Sequence, residues 1–195
     1  MKFFAIVPAA GLSRRMGQPK LVMPWKSNSI IQHTLAAWHE SRVDRVIVVV
    51  RPNDTELQQH LDGTAIDLVV PSVDPPEMKD SVLLGIKYIQ THFGPSVNDA
   101  MLLAPADMPE LNSVVIDKVI EAHDPQRAAI IAPIHLGKKG HPVLFPWPFT
   151  TGAYQLHENQ GLNELWKIYH NRTIEVSDTG SFLDVDTPDD FCDKQ

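Results

Sequence analysis

Five strand-like, mostly apolar stretches, at residues 3–7, 45–50, 66–70, 100–104 and 129–132, interrupted only by Arg45 at the start of the second and Asp67 within the third, alternate with stretches whose apolar residues recur at helical spacing. A strand reads as an unbroken apolar run when both its faces are covered, and in parallel sheets the covering helices lie in the connections. The helical stretches are marked by Ile30, Ile31, Thr34, Leu35 and Trp38, by Leu57 and Leu61 after Asp54, by Val82, Leu83, Ile86 and Ile89, and by Val115, Val119 and Ile120. This alternation predicts a three-layer α/β fold with a mainly parallel sheet. With 195 residues, one domain over 1–195 is expected, burying about 70% of its unfolded surface.

After Pro133 the rhythm changes. Gly137-Lys138-Lys139-Gly140 reads as a flexible basic loop, and 142–145 as a short strand bounded by prolines. Short helices are expected between Gly152 and Gly161, and last strands at 174–176 and 182–185. The 16 prolines, several of them in this region, fit ordered connections better than a linker. The chain therefore divides into a part of about 1–110 that carries the first strands and an elaboration of about 134–181.

Seventeen Lys and Arg against 24 Asp and Glu give a net charge of −7, which argues against nonspecific binding to nucleic acid or an anionic membrane. The single Cys192 excludes an intramolecular disulfide and fits a reducing compartment. Lys2 and the apolar residues after it do not make a signal peptide, because Pro8 interrupts the run and Arg14-Arg15 follow it. No segment approaches the roughly 18 apolar residues of a membrane span. A cytoplasmic protein is expected.

The most informative local segment is Ala9-Ala10-Gly11-Leu12-Ser13-Arg14-Arg15-Met16-Gly17-Gln18-Pro19-Lys20, directly after the first apolar run. Ligands of open α/β sheets bind beyond the carboxyl ends of the strands. A turn of small residues there brings backbone N–H groups close to an anion, while Arg14, Arg15 and Lys20 add positive charge. The combination asks for a polyphosphate, most simply a nucleoside triphosphate. It is neither a Walker A loop, since Gly17 is not followed by Lys, nor a Rossmann fingerprint, since only two glycines are present.

Three further constellations carry chemistry. Ala104-Pro105-Ala106-Asp107-Met108-Pro109 places a carboxylate just past the fourth strand, where it suits either a turn or a hard cation. In Asp184-Val185-Asp186-Thr187-Pro188-Asp189, strand alternation sends Asp184 and Asp186 to one face, while Thr187 and Pro188 also read as a helix start. Lys138 and Lys139 precede Gly140-His141-Pro142-Val143-Leu144-Phe145, in which His141 suits either a structural hydrogen bond or an anionic ligand. The other histidines show no metal-ligand spacing.

The segment 9–20 resembles the signature Ala-Ala-Gly-x-Ser-x-Arg-Met-Gly-x-x-Lys of the MobA/MocA-like nucleotidyltransferases of molybdenum cofactor biosynthesis, with Ala9, Ala10, Gly11, Ser13, Arg15, Met16, Gly17 and Lys20 at its fixed positions. The 140–145 segment is similar to the family's Gly-His-Pro-Val-x-Phe, and 184–190 to its closing Asp-x-Asp-Thr-Pro-Glu-Asp, with Asp189 in place of Glu. The resemblance implies a Rossmann-like nucleotidyltransferase fold with a mixed, mainly parallel sheet. It also implies Mg²⁺, or Mn²⁺ in its place, held by Asp107 and Asp186, with Asp184 behind them. Arg15 and Lys20 would then act on the departing pyrophosphate, and 9–15 and Ser81 on the nucleotide. Lys138, Lys139 and His141 would face the acceptor. Where the family carries Gly-Met-Ser-x-Ser-Leu, this chain has Glu77-Met78-Lys79-Asp80-Ser81-Val82. Glu77 adds bulk and negative charge where glycine permits close approach, and Lys79 is expected to contribute a phosphate contact.

Together these readings imply in-line attack by an acceptor phosphate on the α-phosphorus of a nucleoside triphosphate, with release of pyrophosphate. Ala9-Ala10-Gly11 and Gly-His-Pro-Val fit the cytidylyltransferase branch, hence CTP and a molybdopterin-type acceptor, with a molybdoenzyme receiving the product. The alternatives are GTP, a sugar or alcohol phosphate as acceptor, or a chaperone that binds nucleotide or pterin without transferring anything.

Overall fold

Side-chain alternation along the first strand, β1 (Phe3–Pro8), builds both hydrophobic layers at once. Phe3, Ala5 and Val7 enter one core, and Phe4 and Ile6 the other. The computed structural model describes residues 1–13, 16–177, 180–182 and 185. After β1 comes a 3₁₀ turn, Lys20–Val22, then a small antiparallel hairpin of β2 (Pro24–Trp25) and β3 (Asn28–Ser29) that leads into α1 (Ile30–His39). The start of α1 is fixed by a capping box, in which the Gln32 amide N–H donates to Ser29 Oγ and the Ser29 N–H donates to Gln32 Oε1.

The chain continues through β4 (Arg45–Val49), α2 (Thr55–His60), β5 (Asp67–Val69), α3 (Met78–Phe93), β6 (Ala100–Leu103) and α4 (Ser113–Glu121). Then follow β7 (Ile130–His135), β8 (Lys138–Lys139), β9 (Val143–Pro146), a 3₁₀ segment Trp147–Gln155, α5 (Leu165–Ile168) and β10 (Asn171–Glu175). The main sheet runs in the order β10-β7-β9-β6-β1-β4-β5, with β8 paired to β7. The pairs β5/β4, β4/β1, β1/β6 and β7/β10 are parallel, while β9 is antiparallel to both β6 and β7. This is the mixed, mainly parallel α/β sheet that the apolar runs predict.

Residues of α1 and α4 pack into the first core, and those of α3, the 147–155 segment and α5 into the second. At Gly85 of α3 an added Cβ would come within 2.9 Å of Ile6, so the helix lies as near β1 as backbone allows. No helix among the described residues is long and apolar enough to cross a membrane.

Three local expectations are corrected. Lys138 and Lys139 form a short strand folded back on β7 instead of a flexible loop, because Leu136 and Gly137 adopt positive φ of 49° and 80° and close a tight turn. The strand expected at 174–176 begins earlier, at Asn171, drawn into parallel register with Ile130 on β7. Phe182, expected to open a final strand, ends a 3₁₀ turn, Gly180–Phe182, packed tightly against Gly140. Residues 183, 184 and 186–195, including Cys192, lie outside the described residues.

The start of β6 is tied to β1 by Asp99, whose carboxylate accepts hydrogen bonds from the backbone N–H groups of Lys2 and Ser96, both at 2.7 Å. Burial alone would raise its pKa, but these donors outweigh it and hold the carboxyl below the usual range. A depressed folded-state pKa stabilises above the unfolded value and is lost as pH falls through the folded one. Asp99→Ala is therefore expected to cost about 2–4 kcal/mol at pH 7. Urea denaturation at pH 7 and below pH 3 checks this, since the gap between variant and wild type should shrink with acid.

Candidate active site

The functional loop begins where β1 leaves the sheet. The Ala9 N–H still donates to the Val49 carbonyl at 2.8 Å, but among the described residues the N–H groups of Ala10, Gly11 and Leu12 donate to no protein acceptor. Gly11 and Leu12 are exposed. Among the described residues a Cβ at Gly11 would meet no atom within 4 Å, so none of them requires a glycine there. The small residue leaves backbone donors open to whatever enters the cleft.

Beyond it, Ser13 takes a positive φ of 46° and its carbonyl accepts from the Met16 and Gly17 N–H groups at 3.0 and 3.1 Å. This tight turn, helped by Gly17 at φ 68°, reverses the chain and returns Lys20 to the sheet edge. Arg14 and Arg15, assigned to the nucleotide from the sequence, lie outside the described residues.

Lys20 meets Asp107 there. Its Nζ donates to Asp107 Oδ2 at 2.5 Å and to the Val185 carbonyl at 2.9 Å, with the two side chains only 12% and 16% exposed. The Val185 N–H returns a bond to the Asp107 carbonyl at 3.0 Å, so Val185 is stitched to Asp107. Asp107 follows β6 as the phosphate loop follows β1, and those two strands are adjacent. The chain leaves β1 for β4 on one side while β6 stands on the other, the switch point at which open α/β sheets form their ligand crevice.

The crevice is a cleft of about 350 Å³, which brings together residues 9–13, Lys20, Ser81 and Asp107 from the sequence-based set. Arg51, Asp74, Glu77 and Met78 also line it. Arg51 was not singled out by any motif; only its place two residues past the end of β4 could have flagged it.

A second cavity, about 580 Å³, lies over β6, β9 and β7 and shares Glu77 and Met78 with the first. Its walls are largely apolar, with Leu103, Val143, Phe145, Leu162 and Trp166, and it holds His141 and Lys139. The Lys139 ammonium sits 4.2 Å from the centre of the Trp166 ring, and His141 Nδ1–H donates to the Leu103 carbonyl at 3.3 Å. Lys138, the neighbour of Lys139 on a strand, projects to the other side, where its Nζ donates to the Phe182 carbonyl at 3.4 Å. Gly140 is demanded by close packing, since a Cβ there would lie 2.5 Å from the Phe182 ring.

Lys79 takes a different place from the phosphate contact expected of it. Its buried ammonium donates to the carbonyls of His157 and Glu158 at 2.6 and 3.1 Å and lines the second cavity, not the phosphate-side cleft. It thereby fastens α3 to the 147–155 region's continuation. Glu77 stands before α3, where its N–H donates to Asp80 Oδ2 at 3.0 Å, so Asp80 caps the helix start.

A hard cation needs oxygen ligands, and Asp107 fits that need. Its Oδ1 is buried without a hydrogen-bond partner among the described residues, beside the cleft. Asp184 and Asp186 lie outside the described residues. Among the described residues no group of three or more His, Cys, Asp or Glu is close enough to hold an ion alone.

A loop of open N–H donors, a lysine and a strand-end carboxylate at the switch point of such a sheet make a site suited to a phosphate-bearing ligand on an α/β fold. The family model described as "MobA-like NTP transferase domain" matches residues 5–174, and the chain belongs to that family of NTP nucleotidyltransferases. It is 27% identical to the molybdenum cofactor cytidylyltransferase of Escherichia coli (strain K12), over 95% of this chain and 92% of the relative. It is 28% identical to the purine catabolism protein PucB of Bacillus subtilis (strain 168), over 94% and 91%. Its fold also matches that of the Rv0371c protein of Mycobacterium tuberculosis H37Rv in complex with manganese, with a TM-score of 0.74, 19% identity and coverage of 100% and 98%.

Proposed function

We propose that the protein transfers a nucleoside monophosphate, CMP by preference, from an NTP to a phosphorylated, molybdopterin-type acceptor. One observation carries this reading: Lys20 and the half-free carboxylate of Asp107 meet beside the open N–H groups of 10–12. That set suits a triphosphate whose α-phosphorus lies between the loop and Asp107. The barrier to transfer is high because one anion attacks another, so charge compensation supplies most of the rate.

The loop donors hold the triphosphate and Lys20 faces its phosphoryl oxygens, while backbone pairing of Val185 with Asp107 keeps the carboxylate in place. Asp107, with Asp186, would hold a divalent cation, Mg²⁺ by preference, which neutralises phosphoryl charge when bound. No covalent protein intermediate is needed.

The acceptor reading is supported by the second cavity. A flat heterocycle suits the apolar walls, while its phosphate suits His141 and Lys139, whose ammonium the Trp166 ring holds. Ala9-Ala10-Gly11 and the Gly140-His141-Pro142-Val143 segment support CTP. The test is pyrophosphate release with each of the four NTPs, Mg²⁺ and molybdopterin cofactor as acceptor. Release with CTP is expected; release only with GTP, or only with a sugar phosphate as acceptor, would redirect the assignment. Nucleotide binding with no turnover would mark the protein as a binding module.

Within this reading Trp166→Ala is expected to raise KM for the acceptor about tenfold through loss of an apolar wall and of the ring that holds the Lys139 ammonium, with KM for the NTP unchanged. Steady-state kinetics with each substrate varied in turn checks the split.

A further inference from the structure

We infer that Arg51 holds the pyrophosphate half of the nucleotide as it departs. The inference rests on the nucleotidyl-transfer reading of the cleft. In that reaction an acceptor oxygen forms a bond to the α-phosphorus, the bond from phosphorus to the α,β-bridging oxygen breaks, and its electron pair leaves on pyrophosphate. No proton or electron is exchanged with the protein. Attack and departure are in line, so the leaving group emerges opposite the acceptor.

Sheet order fixes which side that is. The acceptor-side cavity lies over β7, β9 and β6, and Asp107 stands at the β6 end beside β1. The opposite side lies over β1 and β4, where Gly11, Leu12 and Ser13 meet Arg51. There a second polar recess of about 360 Å³ opens beneath the loop, lined by Gly17, Gln18, Arg51 and Asp54 among others.

Arg51 is built into this position. Its Nη2 donates to Asp54 Oδ2 at 2.8 Å, while Asp54 Oδ1 accepts the Leu57 N–H and so caps α2. The Gln58 side-chain amide donates to the Arg51 carbonyl at 2.9 Å and locks the backbone. With one edge of the guanidinium held by Asp54, its Nε is buried with no hydrogen-bond partner among the described residues. A guanidinium only 23% exposed, on the wall of the phosphate-side cleft and with one N–H unpartnered among the described residues, suits an oxyanion. Planar N–H forks match phosphate oxygens, which completes the assignment.

Titration calorimetry with inorganic pyrophosphate and Mg²⁺ tests it on the full chain, with CMP as the control ligand. Arg51→Gln is expected to weaken pyrophosphate at least tenfold and leave CMP within twofold, with Arg51→Lys intermediate. Asp54→Asn, which keeps the helix cap and loosens the arginine, should weaken pyrophosphate less than Arg51→Gln does. Pyrophosphate affinity in Arg51→Gln within threefold of wild type would overturn the inference, and so would loss of CMP instead, which would place Arg51 on the nucleoside. A wild-type protein that binds neither ligand would sink the reading of the cleft itself. Thermal melting distinguishes these outcomes from misfolding, and Arg51→Lys carries the test if Arg51→Gln does not fold.

Discussion

Asp107→Ala is expected to lower kcat/KM for nucleotidyl transfer by about 10³-fold, the scale on which loss of one preorganised electrostatic contact to a transition state is felt. Asp107 offers one oxygen to Lys20 and keeps the other buried without a protein partner among the described residues. A carboxylate oxygen left that way is costly unless a cation or a hydrogen bond meets it in the working state. Alanine removes both oxygens, and with them the carboxylate that faces the Lys20 ammonium. Asp107→Asn keeps the shape and one acceptor and separates chemistry from packing. Both variants should still bind nucleotide, because the open donors of 10–12 are untouched. Pyrophosphate release at saturating NTP is the readout, and turnover within tenfold of wild type in Asp107→Asn would remove this carboxylate from the reaction.

How much of this the sequence disclosed depends on how local each cause is. Strand alternation is local: Phe3, Ala5 and Val7 against Phe4 and Ile6 divide between the two cores as a two-face apolar run requires. The same holds for the turn of small residues after β1 and for the carboxylate placed just past β6, since each is fixed by distance from a strand end. The failures have long-range causes. Whether Lys79 faces phosphate or is captured by the carbonyls of His157 and Glu158 is decided by a segment 78 residues away. Lys138 and Lys139 are alike in sequence, and only pairing of their two-residue strand with β7 sends them to different sides. Arg51 belongs to no motif at all. It becomes visible once β4 is seen beside β1, with Asp54 holding its guanidinium.

Lys20→Met should move two measurements in opposite directions. In the free protein the ammonium lies 2.5 Å from Asp107 Oδ2, where it compensates the carboxylate that a divalent cation would otherwise meet. Two like charges in a recess that is this enclosed repel strongly, so Lys20 opposes metal binding until an incoming triphosphate gives it other oxygens. Removing the charge is therefore expected to tighten Mn²⁺ binding in the absence of nucleotide by about threefold or more, followed by electron paramagnetic resonance. Turnover should fall at least about tenfold, because the phosphoryl oxygens lose a charge-assisted donor just as negative charge builds on the leaving group. A purely structural lysine would weaken both, through a loosened Val185 segment. Tighter metal binding with slower transfer is the signature of a lysine shared between the carboxylate and the phosphates, handed from one to the other as the nucleotide arrives.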